Sequence, residues 1–369
     1  MTAIRKILIP FSLALSILSC SKSDITTPND NLDFIVLSRD EGDYSSLYQL
    51  SVFESGEVIE TDLVSEFGGL ESLSSIPRPY RVEGELFLHM DRGLLHIKNL
   101  RENWSTSIKT LCGASLDNST YRVITTENKI LLSIKSFDGK TKDFLTIDKN
   151  LEQSSCKRIS YSKSPFHSSA KFQYSSSKYV LFDRTHLAND NWSYKTFLFT
   201  YNTESNQLDS ISIDKLTDVK SSLPIVMDKD KFYIFSNNKT YKIFSFEFNL
   251  LEEGTCDEYF SPIEGSHIVE NKMKVEIFHP TTTGFYTTKN VYDIHQRKFL
   301  IDEMLLVEKP VITPNTGQIL TSEYDLKRER IILGVSTTES GYKILITDFN
   351  NNILNEIPIN SFPMRISIL

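Results

Sequence analysis

Apolar and polar residues follow one another along this chain in short runs separated by polar turns, and the runs recur from Asp33 to Leu369. Some runs alternate strictly. Met273, Val275 and Ile277 fall on one face and Lys272, Lys274 and Glu276 on the other, and Phe244, Phe246 and Phe248 lie opposite Ile243, Ser245 and Glu247. That two-residue period is the mark of strands with two distinct faces. No long stretch holds a convincing 3.6-residue period, so the pattern predicts an all-β protein.

The runs also form a larger repeat. A strand running into a turn recurs as SLYQLSVFESG, RGLLHIKNLREN, DFLTIDKNLEQ, FLFTYNTESNQ, KIFSFEFNLLEE, VYDIHQRKF and KILITDFNNN. Leu50, Ile97, Ile147, Tyr201, Phe246, Ile294 and Thr347 then mark equivalent positions, roughly 50 residues apart, which is the length of a propeller blade. A second marker is a polar turn feeding an apolar strand: Gly84-Glu85-Leu86, Asn128-Lys129-Ile130, Ser177-Lys178-Tyr179, Asp230-Lys231-Phe232, Asn271-Lys272-Met273 and Glu329-Arg330-Ile331. A third is a proline expected just before a unit begins, at Pro77, Pro165, Pro224, Pro262, Pro310 and Pro363, with only the unit near Asn118 lacking one. Proline has no N–H to give to a ladder, so the edge or start of a sheet is where it does least harm.

Each unit holds four strand-sized pieces, named a to d in chain order. The first unit opens at Asp33 with a b-like strand (DFIVLSRD) and has no a strand, whereas the C-terminus ends in an extra Pro-led one, SFPMRISIL. The expected fold is therefore a β-propeller of seven four-stranded blades, closed by the C-terminal strand pairing into the first blade. Six or eight blades, or an open two-sheet sandwich, are the alternatives the pattern leaves.

The first 32 residues follow a different logic. Arg5 and Lys6 precede a twelve-residue apolar run at 7–18, and the small Ser19 precedes Cys20, which together read as a secretory signal. The run is too short to span a bilayer, and Pro10 interrupts it. Ile17-Leu18-Ser19-Cys20 resembles the lipobox of bacterial lipoproteins, departing only at Leu18, where a smaller residue is commoner. The resemblance implies that residues 1–19 are a removed signal peptide and that Cys20 is lipidated and becomes the N-terminus. Residues 20–32, polar and aperiodic, would then be a flexible tether between a membrane lipid and the domain at 33–369. Ser21, in place of the aspartate that retains such proteins at the inner membrane, implies an outer-membrane destination, with the domain periplasmic or surface-exposed. Cys112, Cys156 and Cys256 remain, an odd number without metal-ligand spacing, and are expected to be buried thiols, with one incidental disulfide left open.

Charge and composition narrow the function classes. Lys+Arg 40 against Asp+Glu 48 gives a net charge of −8 with no basic block, which argues against nucleic acid as a partner. Sixteen Tyr and twenty-three Phe beside 14 Gly suit a β-rich chain whose turns are made by Asn, Asp, Ser and Lys. HExxH, GxSxG, phosphate-loop and dinucleotide motifs are missing, as are the repeat signatures of the well-marked propeller families. The chain is similar in general plan to the β-propeller lipoproteins of Gram-negative bacteria. That resemblance implies an export address and a binding-type fold. A monomeric domain is expected, with no cofactor and no metal.

Propellers bind ligands around the mouth formed by the b–c and d–a loops. At the ends of the predicted b strands stand Arg39 and Asp40, Asp91 and Arg92, Asp138, Asp183 and Arg184, and His279. The arginines would offer planar forks for a carboxylate, phosphate or sulfate, and the aspartates would take a cation or sugar hydroxyls. The longest expected b–c loop, Asp183 to Lys195, adds His186, Trp192 and Tyr194, aromatic anchors for a sugar face or a protein. The plainer expectation is that these Arg and Asp residues satisfy one another between blades and that Trp192 packs over the rim. The functional expectation is a non-catalytic binding or scaffold protein engaging a glycan, peptide or partner protein. The alternative is a carbohydrate-active enzyme with Asp91 and Asp183 as its carboxyl pair.

Overall fold

A computed structural model describes residues 31–369, apart from 64–79, 161–171, 217–224, 302–315 and shorter stretches between strands. The expected signal peptide, Cys20 and most of the tether lie outside the described residues.

Every regular element among the described residues is a strand, and seven four-stranded antiparallel sheets account for all but two of them. Sheet 1 takes its b, c and d strands from Leu32–Arg39, Ser45–Val52 and Val58–Asp62, and its a strand from Phe362–Ile368. In order a to d, sheet 2 is Tyr80–Glu83, Leu86–Asp91, Leu94–Asn99 and Trp104–Ile108, and sheet 3 is Tyr121–Thr125, Lys129–Lys135, Thr141–Asp148 and Ser154–Ser160. Sheet 4 is Phe172–Tyr174, Tyr179–Leu187, Tyr194–Asn202 and Leu208–Ser212, and sheet 5 is Ile225–Met227, Lys231–Phe235, Thr240–Ser245 and Leu250–Thr255. Sheet 6 is Phe260–Pro262, Lys272–Thr281, Gly284–Asp293 and Lys298–Phe299, and sheet 7 is Thr316–Asp325, Arg330–Thr337, Tyr342–Asp348 and Ile353–Ile359. The remaining two strands, Thr110–Leu111 and Ala114–Ser115, form a small hairpin that the periodicity did not reveal.

The six polar-turn markers each lead directly into a b strand, so the local alternation located the strands well. Two marker sets need correction. Phe246 and Ile294 stand one residue past their c strands, in the c–d turns. Pro262 and Pro363 lie inside their a strands, paired with Val275 and Ser38. The a strand is paired on one side only, so a missing N–H can face away from the ladder, and at Pro363 a register shift between Leu37 and Ser38 absorbs the irregularity.

The C-terminal strand completes sheet 1. It runs antiparallel to Leu32–Arg39 from Phe34↔Ile368 to Arg39↔Phe362, and the Leu369 N–H donates to the Asp33 carbonyl at 3.0 Å. Sheets pack face to face through apolar side chains of alternate parity. Phe34, Val36, Leu50 and Ile366 of sheet 1 meet Ile332, Ile344, Ile346 and Ile357 of sheet 7. Leu181 and Leu198 of sheet 4 meet Met227, Phe232, Phe244 and Phe246 of sheet 5, whose other face presents Tyr233, Phe235, Ile243 and the buried Cys256 thiol to Met273, Val275 and Tyr292 of sheet 6. Val291 and Ile301 then meet Tyr324, Ile331, Leu333 and Val335 of sheet 7. Each fully buried Phe, Leu or Ile contributes about 1.5–3 kcal/mol by leaving water.

Gly334 shows how closely sheets 7 and 1 approach. A Cβ there would lie 2.7 Å from the Thr321 methyl and 2.8 Å from Pro363 Cγ, so only glycine lets the C-terminal strand seat on sheet 7.

At the start of Lys272–Thr281 the polar face meets sheet 7. Lys272 Nζ lies 2.8 Å from Glu329 Oε1 and donates to the Leu326 carbonyl at 3.3 Å, and Lys274 pairs with Glu323 of sheet 7. Asn290, fully buried nearby, donates to the Ile301 carbonyl and accepts from the Val291 and Ile301 N–H groups. A strictly alternating strand thus carries an apolar contact with one neighbour and a hydrogen-bonded one with the other. Burial pushes the Tyr324 phenol up from its ordinary pKa, and its O–H donates to the Lys289 carbonyl.

The turns use few glycines, as expected. Left-handed residues occur before the d strands at Gly56, Phe248, Arg297 and Asn351, and Glu270-Asn271 forms a two-residue a–b turn with both φ angles positive, flanked by reciprocal Val269–Lys272 hydrogen bonds. Burial would raise the Asp348 carboxyl, but hydrogen bonds from Asn352 and Asn350 outweigh it and hold the pKa below the usual value. His267, beside Met227 at the junction of sheets 5 and 6, is lowered to about 4 by burial and by the nearby Lys274.

Gly334→Val should destabilise the protein by about 1–3 kcal/mol through overpacking, measured by urea denaturation; unchanged stability would show that the seam yields freely. His267 binds its proton more weakly folded than unfolded, so stability should fall as pH drops from about 6.5 to about 4 and level off below. The melting temperature of His267→Gln should decline less than that of the parent across this window.

Candidate functional site

Each sheet presents its b–c hairpin at one end and its a–b and c–d turns at the other, so the expected site lies where b strands finish and c strands begin. Its best described part is the corner shared by sheets 1 and 7. There the b strand ends at Arg39, which is exposed and pairs with Ser45 on one side and Phe362 on the other. The end is held rigid from below. Ser38, fully buried, has its hydroxyl oxygen 2.6 Å from those of both Ser46 and Ser361, which are themselves 3.1 Å apart. Three small hydroxyls satisfy one another where a larger polar side chain would need water, and they tie strands b and c to the residue that leads into the a strand, next to Arg39.

Phe362 is 38% exposed and meets the Tyr342 ring edge-on at 5.6 Å. Along the same a strand Met364 and Arg365 are exposed as well. This corner therefore offers one guanidinium at the hairpin end, a second on the a strand, and an aromatic and a thioether side chain between them in sequence. On sheet 6, His279 is half-buried with Nε2 2.8 Å from Thr288 Oγ1, and its neighbour Phe278 is 44% exposed. Sheets 5 and 7 close their hairpins with short hydroxyl-capped turns, Ser236 with Thr240 and Thr337 with Gly341.

The residues expected to form the site are distributed as follows. Asp91 ends its b strand opposite Leu94 of sheet 2. Asp183, Arg184 and His186 lie within a b strand of sheet 4, paired with Leu198, Phe197 and Lys195, and Tyr194 opens the c strand opposite Leu187. The expected long loop from Asp183 is thus corrected to a long two-stranded hairpin, and only residues 188–193 connect its strands. The alternation of Tyr179–Leu187 continues through polar residues, which disguised it as a loop. His279 is likewise a strand residue, opposite Tyr286 in a hairpin that extends to Thr281↔Gly284. Cys20, Asp40, Arg92, Asp138 and Trp192 lie outside the described residues. Arg39, Asp91 and Arg184 belong to three different sheets, and within their hairpins Arg39 and Asp91 face the first residue of the c strand whereas Arg184 faces the fourth. Asp91 and Asp183 likewise occupy unequal positions of the repeat.

Phe362, Tyr342, Met364, Arg365 and Phe278 were missed as candidates. The C-terminal strand was identified by its role in pairing, and its odd and even positions carried no label saying which would stay open. Among the described residues no group of His, Cys, Asp and Glu is arranged to hold a metal ion.

No protein-family model matches the sequence, and a search of curated proteins gives no match. Among solved structures, the chain is similar to the β-propeller domain of the Trilobed protease from Pyrococcus furiosus, at 14% identity over 89% of this chain and 84% of that one, TM-score 0.43. It is also similar to an acylaminoacyl peptidase from Pyrococcus horikoshii, at 12% identity over 89% of this chain and 46% of that one, TM-score 0.42. A third is a putative 6-phosphogluconolactonase from Bacteroides fragilis, at 12% identity over 93% of this chain and 99% of that one, TM-score 0.41.

Proposed function

We propose that this chain is a non-catalytic binding propeller, seven-bladed and closed by its C-terminal strand, held at the outer membrane by lipid on Cys20. The observation that carries the reading is the corner of sheets 1 and 7. The end of the b strand, tied by Ser38 to Ser46 and Ser361, presents exposed Arg39 beside exposed Phe362, with Met364 and Arg365 on the same a strand. Arginine, aromatic and methionine side chains are the types enriched where proteins meet other proteins, because they bury large area at modest entropic cost and still direct hydrogen bonds. Of the three partners expected for this face, the described residues favour a peptide or partner protein over a glycan. The sheet topology supports the ring: each unit supplies a to d in order, and only the first borrows its a strand from the chain's end.

The membrane part of the reading rests on the lipobox resemblance and predicts a simple fractionation result. Cys20→Ser should move the protein from the detergent-extracted membrane fraction to the soluble one; retention in the membrane would remove the lipid anchor from the proposal.

For the binding face, envelope partners cross-linked to the full-length protein should be recovered at least tenfold less with the double variant Arg39→Ala/Phe362→Ala, whose melting temperature should stay close to that of the parent because both side chains are exposed. Equal recovery would place the partner surface elsewhere. Deleting Pro363–Leu369 should lower the melting temperature by many degrees, since Ile366 and the ladder to Leu32–Arg39 go with it.

A further inference from the structure

The opposite end of the same two sheets carries a cleft of about 1330 Å³ between the c–d turn of sheet 1 and the a–b turn of sheet 7. It is separate from the Arg39 face: the strand Leu32–Arg39 runs from one to the other, about 24 Å for eight residues. Asn31 and Leu32, with which the tether ends, line this cleft, and Arg328 Nη2 donates to the Asn31 carbonyl at 2.9 Å. We infer that the cleft is the seat of the tether itself, with residues 22–30 lying in it between sheet 1 and the outer strand of sheet 7.

The charges of the cleft fit this occupant. One wall is a preorganised turn, in which Asp325 accepts hydrogen bonds from the Lys327 and Arg328 N–H groups, both at 3.0 Å, and from Arg328 Nη1 at 2.8 Å. Arg328 is thereby neutralised, and the available cations of that wall are Arg330 and the exposed Lys327, which has no ion pair among the described residues. Sheet 1 contributes Asp33 and the exposed Glu54. A lining of both signs selects neither a polyanion nor a polycation. It matches a segment that carries both, and residues 21–30, SKSDITTPND, supply Lys22, Asp24 and Asp30.

Sheet 7 also offers the segment a backbone edge. Ile353–Ile359 is paired on one side only, and a register shift beside Leu354 limits further pairing there to a short stretch. Ile25-Thr26-Thr27 is a short β-branched run stopped by Pro28. Leu354 is exposed in the cleft and Ile353 beside it, so Ile25 has apolar surface to cover. The run lies four to six positions before Asn31, a reach of up to about 20 Å, which suffices to cross between sheets packed about 10 Å apart. Covalent attachment at the cleft gives the segment an effective concentration on the order of mM, so contacts too weak to hold a free peptide are enough.

The consequence for the proposed function rests on the Cys20 anchor. The eleven residues 20–30, unseated, span up to about 40 Å, which lets either end of the domain turn to the membrane. Seated, they leave Cys20 and Ser21 as the free link, about 7 Å. The cleft end is then drawn against the membrane, and the Arg39 corner faces outward to its partner.

Hydrogen–deuterium exchange of the full-length protein, read by mass spectrometry, tests the seat. Backbone amides within residues 23–30 should exchange at least tenfold more slowly than in the free peptide of residues 21–31, and equally so in the lipidated protein and in Cys20→Ser. Lys327→Glu/Arg330→Glu should raise their exchange at least threefold. So should Ile25→Pro, which alters no described residue and keeps the test decisive if the double variant melts early. Exchange at the free-peptide rate, protection that neither variant lowers, or protection that falls on dilution and so belongs to a second copy would each overturn the assignment. Protection confined to the lipidated protein would overturn it too, because the shield would then be lipid. Equal protection in a protein that does not fractionate with membranes would remove the anchor and uphold the seat.

Discussion

The antiparallel pairing of the last strand with the first is the contact on which the rest of the described architecture depends. Without Phe362–Ile368, sheet 1 has three strands and its b strand an open edge, and the cluster joining sheets 1 and 7 loses Ile366. With it, residues at the two ends of the chain become immediate neighbours: the Ser38 and Ser361 hydroxyls touch across 323 positions, and Arg328 reaches Asn31 across 297. Entropy explains why such a seam needs several kinds of contact. Joining distant segments costs loop-closure entropy, which a single hydrogen bond cannot offset, whereas a full ladder, an apolar face and two polar ties together do. Gly334 contributes by subtraction, leaving space where any side chain would hold Pro363 away.

Both surfaces proposed for binding are by-products of that seam. The Arg39 corner lies where the paired strands end at one side, and the cleft lies where they begin at the other. Each draws side chains from sheets 1 and 7 together, and each is stiffened by a buried polar group beneath it, Ser38 in one case and Asp325 in the other. Rigid support lowers the ordering cost of binding, which is why exposed side chains over such groups are better recognition elements than those on unsupported turns.

The interface between sheets 6 and 7 shows a different use of alternation. Lys272 and Lys274 read in the sequence as a polar face, and a polar face on a strand usually meets water. Here it meets Glu329 and Glu323 of the next sheet, while Met273 and Val275 pack the other way into sheet 5. Such partly exposed pairs contribute little net stability, but a mismatched neighbour would leave the lysines without partners.

What the amino-acid pattern determined by itself is whatever depends on near neighbours. The two-residue alternation, the turn residues and the spacing of markers placed the b strands and picked out the C-terminal strand as the missing member of sheet 1, because side-chain direction in a strand is set by its own backbone. Strand ends were less legible: Asp183, Arg184, His186 and His279 read as loop because they are polar, although their backbones still pair. Only the tertiary structure decided what each face meets. Whether Lys274 finds water or Glu323, whether Phe362 is covered or open beside Tyr342, and whether Lys327 borders a cleft are settled by sheets far apart in the sequence, and no local period carries information about a neighbour that the fold alone supplies.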